Sequence, residues 1–362
     1  MKNFIPGLKL SELFYREAAK PILDTFFPQL SYSAALLGWG SEVLGYDDIR
    51  SSDHHWGPRF FLFLSADDYK QRKDVIDETL KQNLPHRFRG YATNFGEPDE
   101  IGVRLPSETD SGPVNHMICI ETIESFFKWY FGCNPYASIT AVDWLSFSEN
   151  KLLAVTSGQV FHDGLGELEE IRRKFHYYPH DVWLYQIAAQ WIRISEDREF
   201  VSRSGDVGDE LGSMVIASRQ VYRLMRLCFL MERKYAPYTK WFGKAFSELD
   251  CASELSPIFR DVLLSLTWKE REENLARAFR VIARMHNALK ITRSIPEDVC
   301  AYFGRPYLVF ECEDLVHDIV TSFTDEEVKA IKHGMGSINQ FVDSTDQLSH
   351  RPIREMLKAV YK

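Results

Sequence analysis

The hydrophobic pattern of this chain changes period once, near Gly166, and that change constrains the fold more than any single motif. Before it, apolar runs of strand length alternate with stretches of helical spacing. Residues 32–38 (YSAALLG), 58–64 (PRFFLFL) and 116–122 (HMICIET) read as strands. Residues 8–24 place Leu10, Leu13, Phe14 and Ile22 at helical intervals, and the charged stretch 66–82 reads as a second helix. After the change, residues 181–196, 209–234 and 269–290 carry apolar positions at i, i+3, i+4 and i+7, and 325–333 reads as a further helix. The pattern predicts an α+β protein, with a mixed-sheet α/β domain over 1–165 and an all-helical domain over 166–362.

Composition narrows the classes. Aromatic residues make up 14% of the chain, too much apolar area to leave solvated, so a packed core is expected. Lys and Arg number 43 against 52 Asp and Glu, a formal charge of -9, which disfavours duplex nucleic acid and anionic membrane surfaces as partners. No apolar run approaches the roughly 20 residues of a membrane span, and the start lacks the features of a signal peptide. The cysteines are scattered without a C-x-x-C pair, so neither a zinc site nor a disulfide frame is expected. These features point to the cytoplasm.

Chemistry concentrates in Gly38-Trp-Gly40-Ser41, followed after a polar stretch by Asp53-His54-His55-Trp56-Gly-Pro-Arg59. A glycine turn lets backbone approach a polyphosphate, and a serine hydroxyl bonds its oxygens. Acidic groups at i and i+2 on a strand share one face and hold hard cations. A dinucleotide fingerprint is excluded, since Val43 stands where its third glycine belongs, and no Walker lysine is present. The Gly-Ser turn followed by an acidic pair resembles the nucleotidyltransferase superfamily. Here Asp53 takes the first carboxylate position and His55 the second, and imidazole suits Mn²⁺ or Zn²⁺ better than Mg²⁺.

Four segments, Gly40–Asp47, Ser52–Arg59, Tyr235–Trp241 and Gln340–Asp346, together resemble an uncharacterised bacterial family, domain of unknown function 4037, regarded as nucleotidyltransferase-like. That resemblance implies a polymerase-beta-type N-terminal domain. It also implies metal-dependent transfer of a nucleoside monophosphate from a nucleoside triphosphate to a hydroxyl of a small molecule or protein. The divalent metal, Mg or Mn, would sit on Asp53 and His55, with Glu121 as the third acidic residue. Gly40, Ser41, Arg59 and Lys240 would bind the nucleotide, and Asp206 and Glu210 would orient the acceptor. The alternatives are a catalytically silent nucleotide- or ligand-binding protein on the same fold, favoured by His55, or a toxin/antitoxin-type partner. Some residues read more simply. Asp163 is expected to cap the following helix, Trp56 to pack, His286 and Asn287 to be buried and hydrogen-bonded, and Arg277, Arg280 and Arg284 to form a solvated face.

Overall fold

The computed structural model describes residues 4–361 apart from Asp53, Ile101 and His333. Two compact units emerge: residues 1–139 with 151–176, and residues 140–150 with 177–362. The chain opens with α1 (Gly7–Phe14), a π-helical turn (Tyr15–Ala19) and α2 (Lys20–Phe26), then β1 (Tyr32–Leu36), β2 (Arg59–Leu64) and α3 (Ala66–Asn83). The short strands β3 (Arg87–Phe88) and β4 (Tyr91–Ala92) precede β5 (Met117–Glu121) and α4 (Ile123–Tyr130). Next come α5 (Ala141–Ser146), α6 (Glu149–Thr156), β6 (Gln159–Asp163) and α7 (Leu168–Lys174). The second half holds α8 (His180–Ser195), α9 (Phe200–Asp206), α10 (Glu210–Met231), α11 (Thr239–Phe246), α12 (Ala252–Leu264) and α13 (Trp268–Leu289), then shorter helices. The expected strands and long helices thus appear within a few residues of their predicted bounds.

The first unit is built on a four-stranded mixed sheet of order β5-β2-β1-β6. β1 runs antiparallel to both β2 and β6, and β2 runs parallel to β5. Alternation along β2 splits its side chains between two faces. Phe60, Leu62 and Leu64 join Leu10, Phe14, Leu23, Ile76 and Leu80 in one core under the N-terminal helices. Arg59, Phe61 and Phe63 lie on the other face, where Phe126 of α4 meets Phe61 at 5.0 Å and Phe63 at 5.7 Å between ring centroids. Asp163 ends β6 and accepts from the amides of Gly166, Leu168 and Glu169, so it caps α7 as its spacing suggested. Burial alone would raise its carboxyl, but the Ser33 hydroxyl and these amides outweigh it and hold it below the usual range.

One ion pair fixes the start of β2. Arg59 and Glu42 are 2% exposed each, and the Arg59 Nε–H and Nη2–H donate to Glu42 Oε1 at 2.9 and 2.5 Å. The same Nη2 reaches the Trp39 carbonyl at 2.6 Å. Gly40, at φ +114°, is required here, because a Cβ would collide with the Glu42 carboxylate and the Arg59 guanidinium.

The second unit is helical, and its strands among the described residues are the two-residue pair Cys300–Ala301 and Leu308–Val309. α10 begins behind Asp209, whose side chain accepts from the Gly212 amide. His286 is fully buried in α13 and pairs with the Thr292 hydroxyl at 3.0 Å, while Asn287 exchanges two bonds with the Ile295 backbone. The expected solvated face is exposed and carries surface ion pairs: Arg277 with Asp261, Arg280 with Asp298, and Arg284 with Glu254. No helix among the described residues is long and apolar enough to cross a membrane.

Two outcomes are expected. Glu42→Ala leaves Arg59 buried and unpaired and should cost about 3–5 kcal/mol in urea unfolding. Glu42→Leu with Arg59→Met should recover most of that loss; equal losses would show that the pair does not set stability. Burial pushes the His286 imidazole down to about 4. The folded state therefore binds fewer protons than the unfolded state between its unfolded pKa of about 6.5 and this value. Its stabilisation is whole above that window and disappears as pH falls through it, a loss of roughly 3 kcal/mol by pH 4. Urea midpoints at neutral and acid pH should show a shallower decline for His286→Gln than for the parent, and parallel declines would contradict the assignment.

Candidate functional site

The Gly-Ser turn follows β1, and its groups are used locally. The Ser41 hydroxyl donates to the Ser51 carbonyl at 3.1 Å, and the Tyr46 amide donates to the Ser41 carbonyl at 2.9 Å. Arg59 is committed to Glu42 and Trp39, so its guanidinium is buried among its own partners. Trp56 is 5% exposed, stacks on Phe4 and donates its indole N–H to Asp47 at 2.9 Å. Its fate is packing.

Asp53 lies outside the described residues. His55 sits in a turn ahead of β2, at φ +61°. Its amide donates to the Arg104 carbonyl at 3.0 Å, and its Nδ1 accepts from the Arg104 amide at 3.3 Å. Burial, and then the positive charges of Arg59, His54 and Arg104, hold this imidazole below its usual range. A neutral imidazole has one nitrogen lone pair in its ring plane. With Nδ1 accepting, Nε2 carries the proton, and no lone pair faces outward for a divalent cation. In this arrangement His55 does not fit a metal.

Glu121 stands at the C-terminal end of β5, in register with Phe63, whereas Arg59 pairs with Met117. Four residues of strand separate those positions, roughly 13 Å. Phe61 lies between them, and the Glu121 carboxylate accepts from the Ser125 hydroxyl at 2.7 Å. The structure therefore places Gly40, Ser41, His55 and Arg59 around one end of the sheet and Glu121 toward the other.

The remaining predicted residues lie in the second unit. Asp206 ends α9 and accepts from the Tyr307 hydroxyl at 2.9 Å. Glu210 opens α10 and is ion-paired with the buried Arg271. Lys240 is exposed in α11, its ammonium 4.8 Å from the Trp241 ring centroid.

A different constellation occupies this unit. A cavity of about 40 Å³ is lined by Glu149, Asn150, Tyr222, Arg226, Tyr238, Phe242, Asn339 and Asp343, among others. Two of the motif segments singled out in the sequence, Tyr235–Trp241 and Gln340–Asp346, form part of its wall. Arg226, 8% exposed, donates from Nη2 to Glu149 Oε1 at 2.8 Å. Burial works against its charge, but the Glu149 carboxylate outweighs burial and raises the guanidinium's pKa. Glu149 also accepts from the Ala236 amide, and its own amide donates to Asn339 Oδ1 at 3.1 Å. Asn150 Oδ1 accepts from the Tyr238 amide at 3.2 Å. The buried Nε of Arg226 has no hydrogen-bond acceptor among the described residues. A buried donor left without an acceptor is costly unless something supplies an oxygen. Sequence reading passed over Glu149 and Asn339, because nothing local marks partners so far apart along the chain.

The nucleotidyltransferase-like protein from Exiguobacterium sibiricum 255-15 is similar in structure at 11% identity, over 78% of this chain and 74% of that one, with a TM-score of 0.30. Comparison with curated proteins gives no match. Residues 144–242 match the family model described as domain of unknown function (DUF4037). That segment supplies Glu149, Asn150, Tyr222, Arg226, Tyr238 and Phe242, so most of the named cavity wall falls inside it. Over residues 144–242 this chain is therefore similar to the DUF4037 family.

Proposed function

We propose that the chain is a ligand-binding protein on a nucleotidyltransferase-like scaffold, holding one end of a small polyhydroxylated molecule, a sugar or polyol, in the cavity at Arg226. The unpartnered, buried Nε of Arg226 carries this reading. The charges of Arg226 and Glu149 offset one another, and Asp343 adds a negative charge, so the cavity disfavours phosphate. Ser148, Asn150, Thr239, Asn339, Thr345 and Ser349 bring hydroxyl and amide groups of the kind that bond hydroxyls. Tyr222, Tyr238 and Phe242 add apolar ring faces on which the C–H face of a sugar packs. A volume of about 40 Å³ suits a hydroxyl or hydroxymethyl group, with the rest of the molecule at the mouth.

The N-terminal turn supports the silent alternative over nucleotide transfer. His55 at the second carboxylate position has its lone pair engaged, and Arg59 and Ser41 serve the turn itself. On this reading Gly40, Ser41 and Arg59 are scaffold residues, and no step runs through a metal at Asp53 and His55.

Calorimetric titration with a panel of monosaccharides, amino sugars and cyclitols, and with inorganic phosphate, tests the binding. One polyol class should bind more tightly than phosphate. Arg226→Lys keeps the charge beside Glu149 and removes Nε, so it should weaken that binding about tenfold, the value of one buried hydrogen bond. Phosphate preference, or affinity untouched by Arg226→Lys, would overturn it. Incubation with each nucleoside triphosphate and Mg²⁺ or Mn²⁺ should release no pyrophosphate above the level of Asp53→Ala. Metal-dependent release that Asp53→Ala abolishes would restore the transferase reading.

A further inference from the structure

α10 and α12 meet through two cysteines that play no part in the cavity. Cys228 lies in the last turn of α10 and is fully buried, whereas Cys251 is the N-cap of α12 and is partly exposed. The thiol of Cys251 is hydrogen-bonded to that of Cys228. The backbone around them fixes this contact. One helical turn beyond Cys228, the Glu232 amide donates to the Cys228 carbonyl at 2.9 Å. The Glu232 carboxylate in turn accepts from the Asp250 amide at 2.8 Å and from the Cys251 amide at 2.9 Å. The end of α10 thus clamps the main chain of Cys251 beside Cys228. Both Glu232 oxygens are engaged by those amides, and no group of three His, Cys, Asp or Glu side chains among the described residues is arranged to hold a metal ion. The chemistry left to the pair is that of two adjacent thiols.

We infer that Cys228 and Cys251 form a modification site, a disulfide that a low-molecular-weight disulfide such as oxidised glutathione closes. Cys251, the more accessible of the two, reacts first. Its sulfur loses a proton, attacks one sulfur of the small disulfide and displaces the other as a thiolate. The Cys228 sulfur then loses its proton and attacks Cys251 Sγ, which breaks the mixed disulfide and releases the second thiolate. Two electrons pass from the cysteines to the small disulfide, and the two protons go to the released thiolates. The Cys228 thiol, burial and the Glu232 carboxylate hold the Cys251 thiol above its usual range, so the first step is slow. The loop closed by this bond carries Ala236, Tyr238, Thr239 and Phe242 of the cavity wall, and its first end lies on the helix that bears Arg226. Closure therefore ties one part of that wall to another and restricts the unfolded chain.

Prolonged incubation of the dilute full chain with oxidised glutathione in mildly alkaline buffer, then alkylation and tryptic mass mapping, tests the site. The peptides 227–233 and 245–260, which hold Cys228 and Cys251, should appear linked, about 2 Da below the sum of their masses. The oxidised chain should also unfold at a higher urea midpoint than the reduced chain. Cys228→Ser and, independently, Cys251→Ser should remove both the link and the gain in midpoint. Cys251→Ser, at the partly exposed position, keeps the comparison decisive if Cys228→Ser perturbs the core. Peptides that stay unlinked under oxidation, or a gain in midpoint that survives Cys251→Ser, would overturn the inference.

Discussion

The buried pair between Arg59 and Glu42 is the constraint on which the N-terminal unit depends. It ties the glycine turn after β1 to the first residue of β2, across the antiparallel pairing of those strands. Two desolvated charges are expensive, and they persist here because each is held by geometry as well as by charge. The pair also decides what the turn can do. A guanidinium shared between a carboxylate and a main-chain carbonyl is a poor receptor for a triphosphate. The left-handed Gly40 that suits phosphate approach in sequence is explained by the crowding of Glu42 and Arg59 against it. The same residues satisfy a catalytic pattern and a structural need, and their contacts favour the latter.

The sheet reinforces this division. In the face that carries Arg59, Phe61 and Phe63 are stacked, and Trp39, Phe126 and Trp129 close around Phe61 and Phe126. Aromatic packing stabilises that face but leaves little of it for polar chemistry between Arg59 and Glu121. The second unit has the opposite character at its cavity, with amides, hydroxyls, two carboxylates and an unsatisfied guanidinium nitrogen against aromatic rings. The family match covers most of that wall and does not extend to the Gly-Ser turn.

Much of the architecture was legible from hydrophobic period. Continuous apolar runs of strand length such as PRFFLFL mark the strands, buried on both faces, and the i, i+3, i+4 pattern marks α8, α10 and α13, because burial against a core imposes that period directly. Asp163 was legible as a cap because the amides it accepts from are local in sequence. Pairing was not legible. Nothing near Glu42 announces Arg59, and nothing near Glu149 announces Arg226, since both partnerships arise from tertiary register. Glu121 could be placed on a strand from its neighbours, but its register against Phe63, which moves it along the sheet from the turn, depends on how β2 and β5 align. The roles of Asp206 and Glu210 follow the same rule, their partners Tyr307 and Arg271 being distant in sequence.

The central claim is that the ligand site of this chain is the cavity at Arg226 and that the Gly40–Ser41 turn is part of the scaffold. Crystals soaked together with a monosaccharide panel and a nucleoside triphosphate with Mn²⁺ put both sites in one measurement. Density is expected for a hydroxyl-bearing ligand within hydrogen-bond distance of Arg226 Nε, with none beside Ser41 and His55. A triphosphate and metal ordered at Ser41 and His55, with the Arg226 cavity holding water alone, would contradict it.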